Sequence, residues 1–277
     1  MTKTLHSVHR RISEITSSAN PLLKTYRRAL AEGMTRQGWH AVEGPFLVEE
    51  ALRARENLRI HKVLVSREGL QRLRALVERL PEHVELSCVS DKLFGQIAQT
   101  EHPQGIAALV DLKKHHLDDI LHPPNVLLVV ACGLQDPGNL GTILRSAQAF
   151  GASALITLEG TVSPFNPKAM RASAGAVFHV PIFAGAEPDA LFQKLRAAGV
   201  RKVAADPRSS SKISDADLHG PLAILIGQEA AGLSPEIASQ ADWRVSVPIR
   251  SGMDSLNAAT AASIILYEAA RQRKFQY

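Results

Sequence analysis

A chain of 277 residues with 45% hydrophobic and 21% charged residues has enough apolar side chain for one large or two ordinary cores, which excludes a disordered or fibrous polymer. Its 32 Lys and Arg against 27 acids leave a net charge of +5, which permits an anionic partner without requiring one. Two cysteines, Cys88 and Cys132, are too few for a disulfide framework and point to a reducing compartment.

The polar stretch Met1 to Glu14 contains His9, Arg10 and Arg11 and has no apolar signal-peptide core. The longest apolar run, Val126 to Cys132, is too short to cross a bilayer. A soluble, cytoplasmic protein is expected. In chain order, residues 1–112 form a first region of alternating helix-like and strand-like segments. Pro21 to Ala31 has helical spacing, with Asn20 as N-cap and Pro21 in the first turn. Pro45 to Ala54 and Leu70 to Leu80 are amphipathic, each predicted as one helix. Between and after them, Ile60 to Val65, Val84 to Val89 and Gly105 to Leu112 are β-rich. Residues 113–125 are charged and His-rich, end in Pro-Pro and read as a linker that can hold one helical turn. His115, His116 and His122 lack a carboxylate or thiol at ligand spacing, so no metal site is expected there.

Residues 126–277 form the second region. Val126 to Ala131 is continuously apolar, as in a strand buried on both faces. A helix is predicted over Asn139 to Phe150, with Leu140, Ile143, Leu144 and Ala147 on one stripe. Strands follow at Ala154 to Leu158, Arg201 to Ala205, Leu222 to Ile226 and Arg244 to Val247, and a long helix closes the chain from Ser255 to Arg273. Strands alternating with helices imply a mainly parallel α/β sheet covered on both faces.

Three segments of this second region carry chemistry. In Leu134 to Gly151, Asn139 stands at the loop-to-helix turn, where it fits an N-cap. Arg145 lies further along the helix, either as a surface side chain or reaching the strand's carboxyl end, where α/β ligands bind. In Ile224 to Ser234 an apolar strand runs into Gly227 and Gly232, glycines that let a ligand approach the backbone. Glu229 between them is a loop charge or a site residue. The segment lacks both the dinucleotide fingerprint and the phosphate loop. In Val245 to Arg273 a strand enters Pro248, then a Gly-containing loop, then Ser255-Leu256-Asn257. Ser255 fits an N-cap, and the small residues from Asn257 to Ser263 admit a close neighbour.

Taken together, and in this order, the three segments resemble the signature motifs of the SpoU/TrmH-type RNA 2′-O-methyltransferases of the SPOUT superfamily. The carriers are Asn139 with Arg145, Gly227-Gln228-Glu229 with Gly232 and Leu233, and Pro248-Ile249 followed by Ser255-Leu256-Asn257. Phe165 to Pro181 also resembles the family. Within residues 1–112, Arg36-Gln37-Gly38, Ala41-Val42-Glu43-Gly44, Glu49-Glu50-Ala51-Leu52 and Pro103-Gln104-Gly105-Ile106 are similar to the family's small α/β RNA-binding extension.

The resemblance implies a parallel sheet with a deep trefoil knot, S-adenosyl-L-methionine as methyl donor, and a homodimer whose site is completed across the interface. Ile264, Ile265 and Leu266 of the last helix are expected at that contact. It implies that Gly227, Val247, Ile249 and Leu256 bind the cofactor through backbone groups. It gives Arg145 the activating role, assisted by the RNA phosphate, with Asn139, Glu229, Ser255 and Asn257 orienting that arginine or the ribose. An arginine stays protonated, so a fork that grips phosphate and stabilises a developing oxyanion is the physically simpler role. Lys24, Arg27, Arg28 and Arg36 suit RNA phosphate contact, or a solvated helix face. Ribosomal RNA is the expected partner, ahead of transfer RNA. A silent RNA-binding protein and a knotted transfer-RNA or base methyltransferase are the alternatives.

Overall fold

The computed structural model describes residues 12–121 and 124–276. Residues 1–11 of the polar opening stretch, and His122 of the histidine-rich segment, lie outside the described residues. The chain divides between Lys113 and Lys114 into two compact units.

The first unit runs β1 (Ile12–Ile15), α1 (Pro21–Glu32), β2 (His40–Glu43), α2 (Pro45–Arg53), β3 (Leu58–Ser66), α3 (Arg67–Arg72), α4 (Arg74–Glu78), β4 (Glu85–Val89), α5 (Asp91–Gly95) and β5 (Ile106–Leu112). Its sheet has the order β1-β4-β3-β5-β2. β1, β4 and β3 are parallel, β5 is antiparallel to β3, and β2 is antiparallel to β5 and so runs in the direction of β3. The Asn20 side chain accepts the Leu22 N–H at 2.8 Å, and α1 ends on left-handed Gly33. This helix buries Leu23, Tyr26, Ala29 and Leu30. Leu70 to Leu80 is not one helix. The Leu73 N–H closes α3 on the Gly69 carbonyl, and the Leu73 carbonyl accepts both Leu76 and Val77 N–H to open α4. Leu70, Leu73, Leu76, Val77 and Leu80 keep helical spacing across the break, so the hydrophobic pattern carries no trace of it. Glu43 is buried and accepts hydrogen bonds from Gln99 N–H and the Thr100 hydroxyl, which ties β2 to the loop before β5.

The second unit comprises α6 (Leu117–Leu121), β6 (Leu127–Ala131), α7 (Pro137–Ala149), β7 (Ala154–Leu158), α8 (Pro167–Ala172), β8 (Ile182–Ala186), α9 (Pro188–Ala197), β9 (Arg201–Ala205), β10 (Leu222–Ile226), α10 (Pro235–Ser239), β11 (Trp243–Val245) and α11 (Ala258–Gln272). Its six strands are all parallel, in the order β11-β9-β10-β6-β7-β8. From β6 the chain steps outward to β7 and β8, then crosses to β9 and returns with β10 beside β6. The carboxyl ends of β6 and β10 therefore mark the switch point at which α/β sheets bind ligands. Leu128 and Val130 of β6 and Ala223 and Leu225 of β10 pack with Leu191, Phe192 and Leu195 of α9. Leu121 joins this core, so part of the segment read as a linker contributes to packing. Strand alternation turns the equally buried Leu127, Val129 and Ile224 to the opposite face.

The end of α11 is pinned by the side chains of Gln272, which bonds the Leu218 N–H and the Ala216 carbonyl, and of Arg273. Arg273 donates to the Leu218, Asn125 and Gly220 carbonyls at 3.0, 2.7 and 2.6 Å. Removing it leaves three acceptors short of a charged donor. Arg273→Ala is expected to cost about 1.5–3 kcal/mol, with Arg273→Lys recovering only part, because an ammonium lacks the fork. Urea melts of the two variants measure this, and a wild-type midpoint for Arg273→Ala removes the anchor role.

Ile265 and Leu266 are fully buried within the protomer, so they form its core and not the expected subunit contact. Both cysteines are reduced and buried. Burial pushes the Cys132 thiol up to about 12 and raises that of Cys88. Neither is expected to react with an alkylating reagent at pH 8 until the chain unfolds, because the thiolate is the nucleophile. Mass spectrometry after a timed iodoacetamide pulse reads this directly. No helix among the described residues is long and apolar enough to cross a membrane.

Candidate active site

The site begins with two helix N-termini. α7 is capped by Asp136, whose carboxylate accepts the Gly138 N–H at 2.9 Å, with Pro137 in the first turn. Asn139, expected as that cap, lies inside the helix instead, and its amide is free to reach sideways. α11 is capped by Asn257 and not by Ser255. Asn257 Oδ1 accepts the N–H groups of Ala259 and Thr260 at 2.9 and 3.2 Å. Both corrections have one cause: each segment offers two cap-competent residues, and the start of helical packing selects between them.

The Asn257 cap sets the direction of a hydrogen-bond chain. With Oδ1 committed to two backbone donors, Nδ2 must point outward, and it donates to Asn139 Oδ1 at 2.9 Å. That fixes the Asn139 amide, whose Nδ2 donates to Glu229 Oε1 at 2.8 Å. Three predicted residues from three distant segments therefore meet in one ordered relay. A second contact, Ser146 Oγ to Ser263 Oγ at 2.7 Å, holds α7 and α11 side by side in the same direction.

Glu229 sits on a loop that folds back on itself. Gln228 and Gly232 exchange both backbone hydrogen bonds, at 2.9 and 3.0 Å. A Cβ on Gly227 would lie 2.3 Å from the Gly232 carbonyl carbon and 2.4 Å from Leu233 N. This glycine is thus required by the loop's own backbone, where the sequence suggested an approaching ligand. Gly232 has φ +70° and open space around it, so there the requirement is conformational.

Behind the loop lies a cavity of about 690 Å³, walled by residues following β9, β10 and β11. Gly227, Glu229, Val247, Ile249, Ser255 and Leu256 all line it. The backbone N–H and C=O groups of Val247, Ile249 and Leu256 make no hydrogen bonds with the described residues. Ser255 is exposed and likewise unpaired. Asp206, Arg208 and Arg244 also line the cavity and were missed. Their only signal was position: Asp206 directly follows the apolar run of β9.

Arg145 stands apart from the relay. It follows Asn139 by six residues, which places it about 120° away around the helix. It is four residues beyond Gly141, whose Cα packs against Ala169 and Ala172 of α8, so it continues the α8-facing stripe. It is exposed and has no hydrogen bond or ion pair with the described residues. In the first unit, Lys24, Arg27 and Arg28 share the exposed face of α1, and Arg28 is paired with Glu32 at 2.6 Å. Arg36 is exposed in the tight turn between Thr35 and Trp39. No group of three or more potential metal-ligating side chains occurs among the described residues.

Residues 126–267 match the model of the SpoU rRNA methylase family, and residues 41–116 match the RNA 2′-O ribose methyltransferase substrate-binding family. The chain belongs to the SpoU rRNA methylase family. It is 30% identical over 261 residues to the 23S rRNA (guanosine(2553)-2′-O)-methyltransferase RlmP of Bacillus subtilis, covering 92% of this chain and 98% of that one. The crystal structure of the SpoU methyltransferase AviRb from Streptomyces viridochromogenes with AdoMet superposes with a TM-score of 0.82. The identity there is 30%, over 93% of this chain and 100% of that one. The AdoMet-bound rRNA methyltransferase of Sinorhizobium meliloti gives 0.80 and 31%, over 94% and 98%.

The cavity of this SpoU protein fits S-adenosylmethionine on its own chemistry. Its volume is within the roughly 300–1,000 Å³ range of small-molecule sites. Ile226, Val245 and Ile265 give it apolar walls for an adenine ring. The unpaired backbone groups of Val247, Ile249 and Leu256 match the ring's polar edge.

Proposed function

We infer that this SpoU-family enzyme transfers a methyl group from S-adenosylmethionine to a ribose 2′-hydroxyl of ribosomal RNA, in the cytoplasm. The observation that carries the reading is the Asn257–Asn139–Glu229 relay beside a cofactor-sized cavity. When bound, the cofactor supplies an electrophilic methyl on a sulfonium centre. Gly227, Val247, Ile249 and Leu256 hold it through their backbone groups and leave the side chains of the relay for the ribose. Only one Glu229 oxygen is used by Asn139, so the other accepts a hydrogen bond from a ribose hydroxyl. Ser255, unpaired at the cavity wall, offers a second contact. Together they align the attacking oxygen, where most of an effective-molarity gain arises.

Arg145 acts on the charge that develops on that oxygen, gripping the adjoining phosphate with its fork. Its separation from the relay within one protomer supports delivery from a second subunit, and a homodimer is the assembly proposed. The deep trefoil knot of the superfamily is part of this reading. It is supported by a cavity walled by three successive loops, and by the return of α11 from the edge strand β11 to pack on α7 and β10. Lys24, Arg27, Arg28 and Arg36 form the phosphate-contacting surface of the first unit.

The test is a map of ribose methylation across total RNA from cells with and without the gene. One ribosomal 2′-O-methyl mark that disappears on deletion and returns with the purified protein is expected. A mark lost only from transfer RNA, or from a base, sinks the substrate assignment.

A further inference from the structure

The side chain of Asp206 points to a contact with the far end of the cofactor. It follows β9 directly, and β10 separates β9 from β6, so it lies roughly 10 Å across the sheet from the strand that leads into the relay helix. Its backbone N–H donates to the Val245 carbonyl at 2.9 Å, which fixes it between the ends of β9 and β11. Oδ1 accepts the Arg208 N–H at 2.9 Å, and Arg208 Nε lies 3.6 Å from the same oxygen. Oδ2 has no partner among the described residues, although the side chain is only 18% exposed and lines the cavity.

A mostly buried carboxylate oxygen calls for a donor. The methyl donor offers three kinds: the adenine amino group, the α-ammonium and the ribose diol. The unpaired carbonyls of Val247, Ile249 and Leu256 already answer the adenine amino group. The Arg208 guanidinium beside Asp206 disfavours a second cation. The neutral diol remains, and a carboxylate at a strand end is suited to two adjacent hydroxyls.

We propose that Asp206 is a cofactor-positioning residue that binds the ribose diol of S-adenosylmethionine through Oδ2. The assignment rests on the cofactor reading above. Calorimetric titration of the full-length protein with S-adenosylhomocysteine and with its 2′- and 3′-deoxy analogues tests it without any turnover. The wild type is expected to prefer the natural ligand over at least one deoxy analogue by about 10–100-fold, the worth of a charge-assisted hydrogen bond. Asp206→Ala should lose that factor for S-adenosylhomocysteine and keep wild-type affinity for that analogue. Asp206→Asn, which retains an acceptor for the Arg208 N–H, should lose most of the same preference.

Unchanged affinity in both variants overturns the assignment, as does an equal loss for natural and deoxy ligands. A wild-type protein that binds none of these ligands overturns the cofactor reading, and the Asp206 assignment with it.

Discussion

Arg145→Ala is expected to lower methyl transfer by about 10²–10³-fold, the usual cost of removing one charge-stabilising donor from a transition state. Affinity for S-adenosylhomocysteine should change little, because Arg145 is not among the residues lining the cavity. Stability should also hold, since the side chain is exposed and has no partner in the described fold. Arg145→Lys should fail nearly as badly: it keeps the charge and loses the planar fork that grips phosphate. A methyl-incorporation assay beside a calorimetric titration separates the two effects. Near-wild-type turnover in either variant removes Arg145 from the reaction. If the arginine serves the partner's site, mixing Arg145→Ala with Asn139→Ala subunits should restore activity. Half of the random dimers would be mixed, each with one intact site, giving roughly one quarter of wild-type turnover. Absence of recovery would show that each protomer supplies its own arginine.

The second large effect is expected at Gly227. Alanine there brings a Cβ to 2.3–2.5 Å from backbone atoms of Gly232 and Leu233, none of which a rotamer change can move. The Gln228–Gly232 pair has to open, at about 1–3 kcal/mol of overpacking. Glu229 sits between those two residues, so it leaves Asn139 and the relay breaks. Gly227→Ala should therefore lose both cofactor affinity and turnover, and melt at lower temperature. Gly232→Ala is the informative control. It meets no atom within 4 Å and has only its left-handed φ to satisfy, a cost of about 1–2 kcal/mol with the loop left closed. Wild-type S-adenosylhomocysteine affinity in Gly227→Ala would show that the loop does not shape the cavity.

How much of this was legible beforehand differs from residue to residue. Asn20 and Pro21 announced the start of α1 because cap and first-turn chemistry are local to a few residues. The same rules left the caps of α7 and α11 open, since Asp136 competes with Asn139 and Ser255 with Asn257. The break at Leu73 was invisible because Leu70, Leu73, Leu76, Val77 and Leu80 keep helical spacing straight through it. On α11, Ile264, Ile265 and Leu266 looked equally available for a partner. Only the packing of that helix assigned Ile265 and Leu266 to the protomer's own core.

The sequence by itself determined the alternation of buried strands and amphipathic helices, and so the parallel sheet of the second unit. It also determined the three segments whose residues identify the family. These are one-dimensional properties: periodicity, cap chemistry and residue order. The tertiary structure alone decided that Asn257, Asn139 and Glu229 form one directed relay, that Arg145 faces away from it, and that Asp206 joins the cavity wall. Those facts depend on strand order. β10 returns beside β6 after a crossover, which places residue 229 within hydrogen-bond reach of residue 139 across 90 positions of chain. No local spacing encodes a contact that only the sheet's order creates.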